Sequence, residues 1–358
     1  MRPTSATIHL GALRRNLARV RERAGAARVM AVVKADAYGH GLERVARTLA
    51  DADAFGVASI ADGMRLRAAG HRQRIVVLSG PDSATDLAEV RRLELDVVIH
   101  HEAQLDWLEA TSGVPVRVWL KVDSGMHRLG IPLHRVAAVH HRLAALPGVA
   151  RDIVLMTHFA ASDEFDNPLT AAQLAAFERA TAGLPGPRSL SNSAALLGWP
   201  AARGDWVRAG GLLYGLSAVE GRPAAGFGFE PAMTLATRLI AINRLRKGER
   251  VGYAATWEAP VDMALGVAAI GYGDGYPRSA VNGTPVLVDG RPAAIAGRVS
   301  MDLVTIDLRN VPDARIGAPV VLWGAALPVE TVAAASGTIG YDLTCGMTRR
   351  VLFVEDED

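Results

Sequence analysis

The sequence predicts an α/β protein: an N-terminal TIM (β/α)8 barrel followed by a C-terminal, mostly β domain. Between Arg28 and Trp206, short β-branched runs alternate with segments whose apolar residues recur with a period near 3.6. A segment rich in Gly and Pro then breaks this alternation, and turn-separated strand-like runs follow it. With 358 residues, 50% of them hydrophobic, the chain is long enough for a barrel and a second core.

We count roughly eight strand-helix units in the first part, the number found in a TIM barrel. Each run is almost continuously apolar, as expected of a strand buried on both faces. Periodicity does not separate a closed barrel from an open, doubly wound sheet, and we favour the barrel. In chain order the runs are VMAVVK ending at Lys34, AFGVAS, RIVVLS, DVVIH, VRVWLKVD, DIVLMTH, RSLSN and WVRAG.

The segment GRPAAGFGFEP, residues 221–231, predicts the connection between two domains. We therefore divide the chain into a barrel domain, residues 1–230, and a β domain, residues 231–358. In the second part we predict strands and a single helix, which Pro328 opens. The predicted strand segments are TLATRLIAINRL, GVAAIGYG, TPVLVDGRPAAIAG, DLVTIDL and APVVLWG.

Charge and cysteine content exclude several classes of function. The formal net charge of +2 gives no large field for binding nucleic acid or an anionic membrane, so we expect neither partner. One cysteine, Cys345, excludes an intramolecular disulfide and a cysteine-rich zinc site, and we expect no metal. No signal-peptide pattern and no long apolar run are present, so we expect a cytoplasmic protein.

Lys34 is the first candidate for chemistry, because an apolar strand ends on it. At the carboxyl end of a barrel strand, a lysine that loses hydration has a lowered pKa and attacks carbonyl groups. Tyr38, Gly39 and Gly41 follow at once, and glycines with a nearby hydroxyl suit a cofactor that carries phosphate. The alternative is a surface lysine that pairs with Asp36.

Other strand ends supply further polar residues. Lys121, Asp123 and Arg128 lie around a glycine turn after the fifth strand, either as an ion-pair cluster or with the arginine aimed at a ligand. His158 ends the sixth strand, and Ser193 follows the seventh as a helix N-cap or a phosphate ligand. Finally, Arg208 precedes Gly210 and Gly211, a pattern typical of a guanidinium beside a backbone anion site.

Three tyrosines of the β domain, Tyr253, Tyr272 and Tyr276, stand out in a chain that has only six. Taken segment by segment, they are interpreted as cross-strand aromatic packing, but their grouping favours a role in a site. The adjacent histidine pairs 100–101 and 140–141 lack the spacing of a helical metal site, so we interpret them as solvated.

Eight motifs together resemble the alanine racemases, a bacterial fold-type III pyridoxal-phosphate family. They occur in the family's order from about residue 5 to 350, and both predicted domains carry them. The resemblance implies racemisation of alanine for peptidoglycan or alanine breakdown, and a homodimer in which each site borrows residues from the partner's β domain. The motifs are AVVKADAYGHG, LKVDSGMHRLG, MTHFA, SNSAA, VRAGGLLYG, VGYAATW, GYGDGYPR and GRVSMD.

The resemblance also implies a role for each candidate residue. Lys34 holds pyridoxal 5'-phosphate, and Lys34 and Tyr253 of the partner subunit act as two bases on opposite faces. Racemisation needs groups on both faces of the substrate, which agrees with this pairing. The remaining roles are Arg208 at the pyridine nitrogen, His158 supporting it, Arg128 at the phenolic oxygen and the substrate, Met301 at the substrate carboxylate, Tyr38, Ser193, Gly210, Gly211 and Tyr341 at the phosphate, and Lys121 (carbamylated in some members), Tyr272 and Asp302 in support.

Two alternatives belong to the same fold type. One is a serine or broad-specificity racemase, which is typically exported. The other is a non-catalytic pyridoxal-phosphate carrier, which lacks the β domain and so lacks a counterpart of VGYAATW. The chain departs from the usual family motifs at RAGG, at SMD and at His127, and none of these changes removes a residue with an assigned role.

Overall fold

The first part of the chain forms a closed parallel barrel. The structure is a computed structural model that describes residues 3–358. Strands β2 to β6 and β8 to β10 pair in parallel; β10 closes the ring on β2, and β5 joins β6. All eight predicted barrel strands are therefore confirmed, and the open sheet is excluded. The strands of this part are β1 (Ser5–His9), β2 (Arg28–Val32), β3 (Ala54–Val57), β4 (Arg74–Val77), β5 (Asp96–Ile99), β6 (Val118–Asp123), β7 (Ile131–Pro132), β8 (Val154–Met156), β9 (Arg188–Ser189) and β10 (Trp206–Ala209).

Helices cover the outside of the barrel and place the carboxyl ends of the strands at one mouth. Segment α2 is a single turn with left-handed backbone rather than an ordinary helix. The helical segments are α1 (Leu10–Ala24), α2 (Lys34–Tyr38), α3 (Leu42–Thr48), α4 (Ile60–Ala68), α5 (Asp86–Arg92), α6 (Glu102–Ala110), α7 (Val136–Ala145), α8 (Leu169–Ala180) and α9 (Ser193–Gly198).

The inside of the barrel is filled by side chains from alternating strands. Trp119 and Trp206 meet edge to face at 5.3 Å, and they cluster with Met30, Val98 and Met156. This plug makes the barrel a packed core rather than a pore. Chemistry is therefore confined to the mouth above it.

The second part of the chain is mostly β, as predicted, and the structure shows that its strands pair mainly antiparallel. Its large sheet has the order β14-β17-β16-β15-β18-β11-β1-β19, and β14 also pairs with β11. Its strands are β11 (Met233–Leu245), β12 (Arg250–Val251), β13 (Trp257–Glu258), β14 (Met263–Ala268), β15 (Pro285–Val288), β16 (Arg291–Ile295), β17 (Val304–Asp307), β18 (Pro319–Trp323) and β19 (Leu352–Asp356).

The first strand of the chain belongs to this second sheet. Residues 5–9 pair antiparallel with β11 and parallel with β19. From residue 5 onward, the chain therefore runs from the β sheet into the barrel and back to the sheet. The division at residue 230 stays a proposal. Residues 5–9 belong to the sheet of the second part, although they precede the division in the sequence.

Two helices, rather than the single predicted one, lie in the β domain. Helix α10 (Val329–Ala335) follows Pro328 as predicted. Helix α11 (Gly340–Cys345) was not predicted, because six residues are too few to show a helical period. The prediction that both histidine pairs are solvated was wrong for His140, which is 2% exposed and whose Nε2 lies 3.2 Å from the carbonyl oxygen of Pro185.

The structure also bears on membrane association. Within residues 3–358, every helix is too short or too polar to cross a bilayer.

Candidate active site

Lys34 lies at the barrel mouth, two residues beyond the end of strand β2. Its side chain reaches solvent when the chain is taken by itself. Loss of hydration against the walls of the mouth, and then the positive charge of Arg128, lower the pKa of the Lys34 ammonium. A lysine with a lowered pKa has more neutral amine at physiological pH, which is the form that attacks a carbonyl group.

The turn that carries Lys34 has an unusual backbone. Four successive non-glycine residues, Ala35 to Tyr38, have φ between 51° and 55°. This left-handed region costs L-residues about 1–2 kcal/mol each, so the surrounding structure must hold the turn in place. The turn brings the Tyr38 hydroxyl against Gly210, where an added Cβ would lie 2.5 Å from it.

Gly210 and Gly211 form one wall of a narrow cradle. A Cβ on Gly211 would overlap the hydroxyl of Tyr341, which helix α11 supplies. Ser193 is buried, and its Oγ accepts a hydrogen bond from the Gly210 amide at 2.9 Å. Burial raises the pKa values of Tyr38 and Tyr341, so both hydroxyls stay protonated and available as donors. The cradle thus offers hydroxyl donors against bare backbone, which suits phosphate oxygens.

Arg208 is held rigidly beneath the mouth. Its Nη1 donates to the Ser189 carbonyl and hydroxyl, each at 2.8 Å, and its Nη2 donates to the Thr157 carbonyl at 2.7 Å and the Leu190 carbonyl at 3.1 Å. His158 Nδ1 lies 3.3 Å from the same Nη2. The Nε–H group of Arg208 has no acceptor among residues 3–358. It is therefore available to donate a hydrogen bond to a ligand.

The mouth is strongly cationic. Burial, then the charges of Arg208, Arg128 and Lys34, lowers the pKa of Lys121 to about 8. Burial, followed by the charge of Arg208, lowers the pKa of the half-buried His158 well below its usual value, so this ring is neutral. Because these positive charges repel one another, binding of an anionic ligand between them would be favourable. The cations and the hydroxyl cradle together fit an anionic, phosphate-bearing cofactor with a carbonyl group for Lys34.

Besides Tyr341, four predicted site residues lie on the β domain. Tyr253 is 69% exposed, on a short turn between β12 and β13. Met301 is 53% exposed and Tyr272 is 38% exposed, and the Gly273 amide donates to the Met301 carbonyl at 2.8 Å, so the two loops are joined. Asp302 pairs with Arg350. The structure thus brings the barrel candidates and Tyr341 together, and it leaves Tyr253, Tyr272 and Met301 exposed.

Two polar residues near the site were missed or misplaced by sequence reasoning. Asn192, not Ser193, is the N-cap of helix α9: its side chain accepts from the Ala195 amide at 2.9 Å. The N-cap interpretation of Ser193 was therefore wrong, and its phosphate role stays a prediction. Tyr214 stacks on Tyr38 with ring centroids 4.8 Å apart. Its position in the GGLLYG motif, next to the glycine pair, was the available signal.

Comparison with known proteins agrees with this architecture. Residues 8–218 match the family model of the alanine racemase N-terminal domain, and residues 232–354 match that of the C-terminal domain. An alanine racemase of Shewanella baltica strain OS155 is 52% identical over 347 residues, which is 97% of each chain. The biosynthetic alanine racemase of Pseudomonas aeruginosa superposes with a TM-score of 0.97 at 46% identity, covering 99% of this chain and 100% of the other.

A more distant structure has the same fold. The alanine racemase of Acinetobacter baumannii superposes with a TM-score of 0.94 at 36% identity, covering 99% of this chain and 100% of the other. Both domains and nearly the whole length are therefore shared. The chain belongs to the alanine racemase family of pyridoxal-phosphate enzymes.

Proposed function

We propose that this protein interconverts L-alanine and D-alanine at the barrel mouth. The observation that carries the proposal is a lysine amine of lowered pKa beside a cradle of hydroxyls and bare backbone. That arrangement suits a carbonyl-bearing phosphate compound, and membership of the family identifies it as pyridoxal 5'-phosphate. The relatives named above are alanine racemases, which supports alanine as the substrate here.

The cofactor would be held at both ends. Lys34 would bind it covalently through Nζ, and the phosphate would lie against Gly210 and Gly211. Hydroxyl donors would come from Tyr38, Ser193 and Tyr341. When bound, pyridoxal phosphate supplies an electron sink next to the α-carbon of the substrate.

Arg208 would tune the cofactor rather than exchange protons with it. Its two terminal nitrogens are already engaged, so Nε–H would donate to the pyridine nitrogen. Although burial lowers the pKa of Arg208 to about 10, the guanidinium is still charged at neutral pH and keeps its own proton. His158, neutral and 3.3 Å from Nη2, would keep the guanidinium in orientation.

Inversion at the α-carbon requires proton-transfer groups on both faces of the substrate. Lys34 serves one face. Tyr253 of the partner subunit serves the other, because in its own chain it is 69% exposed and open to a neighbour. The resemblance assigns the L-isomer proton to Tyr253 and the D-isomer proton to Lys34.

The substrate carboxylate would meet cations and a backbone amide. Arg128 would donate to it from the barrel, and the Met301 amide from the partner's β domain. Lys121, at a pKa of about 8, has neutral amine available for the carbamylation that the resemblance implies, which would replace repulsion with attraction beside Arg128. Asp302 and Tyr272 would support the Met301 loop.

The exposure of these residues supports a homodimer. Tyr253, Tyr272 and Met301 are exposed in the single chain, as is Ile339 at 63%, and exposed large apolar side chains are candidates for burial at an interface. The single cysteine suits a reducing compartment, so we place the dimer in the cytoplasm, with no membrane or nucleic-acid partner.

The direct test combines substrate and attachment. We expect purified protein to be yellow, to racemise alanine by chiral chromatography, and to turn over serine and larger amino acids much more slowly. Reduction with borohydride should fix the cofactor to Lys34, which peptide mapping detects. Cofactor on another lysine would overturn the site, and equal turnover of serine would favour the broad-specificity alternative.

Growth of a deletion strain with and without D-alanine distinguishes cell-wall supply from alanine breakdown.

A further inference from the structure

His40 is a fully buried histidine that the proposed chemistry does not use. It is 0% exposed and follows the left-handed turn 34–38 by two residues. Burial lowers the pKa of His40 to about 4, and the charge of Arg44 makes a smaller contribution in the same direction. The ring is therefore neutral at physiological pH, and one of its nitrogens is a donor while the other is an acceptor.

The contacts of His40 identify the donor. Its Nδ1 lies 2.9 Å from the Tyr38 carbonyl oxygen and 3.2 Å from the Ala37 carbonyl oxygen. Carbonyl oxygens accept hydrogen bonds, so Nδ1 carries the proton and Nε2 does not. Among residues 3–358, the Tyr38 carbonyl has no other donor. His40 thus satisfies the last carbonyl of the left-handed turn.

A stack of rings links this bond to the cradle. His40 packs against Tyr214 with centroids 4.7 Å apart, and Tyr214 stacks on Tyr38 at 4.8 Å. The Tyr214 hydroxyl donates to the carbonyl of Val32, the last residue of strand β2, at 2.9 Å. A strained turn persists only where its surroundings fix it, and here the barrel strand and His40 hold it from two sides.

His40 also lines a small cavity that it shares with residues of the β domain. This cavity of about 10 Å³ is lined by His40 and Trp323, together with Tyr214 and Thr344. His40 Nε2 and Trp323 Nε1 are both buried without a partner among residues 3–358. The first is an acceptor and the second a donor, so a water molecule placed between them would bond to both, and this volume holds about one.

We propose that His40 is a positioning residue for the cofactor. Its Nδ1–H holds the Tyr38 carbonyl and so aims the Tyr38 hydroxyl at Gly210. A single buried water between Nε2 and Trp323 Nε1 fastens the same ring to the β domain. The inference rests on the proposed function, because it assumes that the cradle binds the phosphate of pyridoxal phosphate.

The test compares two buried histidines by cofactor affinity. His40→Leu removes the donor, and we expect the dissociation constant of pyridoxal phosphate, measured by equilibrium dialysis of the holoenzyme, to rise at least tenfold. His40→Asn keeps an N–H donor and should stay within about threefold of wild type. His140→Leu is the matched control, since His140 is also buried and bonded to a carbonyl: it should lose thermal stability without losing cofactor.

The outcomes separate this inference from the proposed function. Wild-type protein that binds no pyridoxal phosphate overturns the proposed function. Wild-type protein that binds it, with His40→Leu binding as tightly or His40→Asn failing to rescue, overturns the role of His40. Two wild-type measurements decide if the leucine variant does not fold: nitrogen NMR should find the proton on Nδ1, and a crystal structure should find one water between His40 and Trp323. A proton on Nε2 or a dry cavity contradicts the inference.

Discussion

Lys34 and Lys121 lie at the barrel mouth with Arg128 and Arg208. Burial and the neighbouring positive charges together determine the protonation of the two lysines. Burial comes first for both lysines, and neighbouring cations add to it, so both pKa values lie below the usual range. A nearby carboxylate would raise the pKa of a lysine again. Asp123 does so for Lys121, but its effect is smaller than those of burial and the neighbouring cations. The mouth is therefore poised to accept an anion and to use lysine as a neutral amine.

At the residue scale, Tyr253→Phe tests the second base. The ring stays while the hydroxyl is lost, so cofactor binding should be unchanged. A general base is worth roughly 10²–10⁴-fold, and we expect racemisation to fall by about that factor. Exchange of the α-proton in heavy water should be lost from L-alanine more than from D-alanine, because Lys34 still serves its own face.

Tyr272→Phe is the comparison for Tyr253→Phe. It removes the same atom from another exposed tyrosine of the β domain, and it should cost much less activity. Turnover by Tyr253→Phe that is unchanged in both directions would show that another group moves the proton.

The residue types at the site were readable from the sequence, but their geometry was not. Lys34, His158 and Arg208 were singled out because charged or polar residues at strand ends need a reason. His40 was not, because nothing in AYGHG shows that its ring turns inward and bonds the carbonyls of Ala37 and Tyr38. Burial of one polar ring is decided by tertiary packing, which a single sequence does not display.

At the element scale, the glycine pair after β10 sets the width of the cradle. Gly211→Ala would drive a methyl group into the Tyr341 hydroxyl, so helix α11 or the loop must move. We expect at least a tenfold weaker hold on pyridoxal phosphate and a destabilisation of roughly 1–3 kcal/mol, measured by dialysis and thermal unfolding.

Gly226→Ala is the control for the glycine pair. A Cβ there meets nothing within 4 Å, and this position has no left-handed backbone. The exchange should leave cofactor affinity unchanged and alter stability by less than about 1 kcal/mol. Equal cofactor affinity in both variants would mean that the cradle does not bind the phosphate.

The barrel strands could be predicted because parallel strands that are buried on both faces consist almost entirely of apolar residues. The left-handed turn could not, since Ala and Tyr disfavour positive φ, and Asp visits it only occasionally and as a single residue. Helix α11 was too short to show a period. The pairing of β1 with β11 and β19 was equally hidden, because the partners lie more than 200 residues away and strand patterns do not name their neighbours.

At the scale of the whole molecule, the proposed site is divided between two chains. Mixing Lys34→Ala with Tyr253→Phe should therefore restore activity, because one site of each heterodimer collects both changes and the other collects neither. With random exchange of subunits, about a quarter of wild-type activity is expected, measured by chiral chromatography.

A matched mixture tests the geometry of the dimer. When both changes are on one chain and that chain is mixed with wild type, each heterodimer site contains one defect, so heterodimers should contribute no activity. If the first mixture stays inactive while heterodimers are shown to form, lysine and tyrosine act from the same chain.

Strand β1 is synthesised long before the strands that pair with it. The ribosome adds roughly 220 residues between His9 and Met233, which takes about 10–45 s at ~5–20 residues per second. During that time the segment Ser5–His9 has no sheet to join, and an unpaired strand invites aggregation. Its alternating pattern, with Ala6 and Ile8 set between polar neighbours, leaves the nascent chain only two apolar side chains in this segment to protect from water.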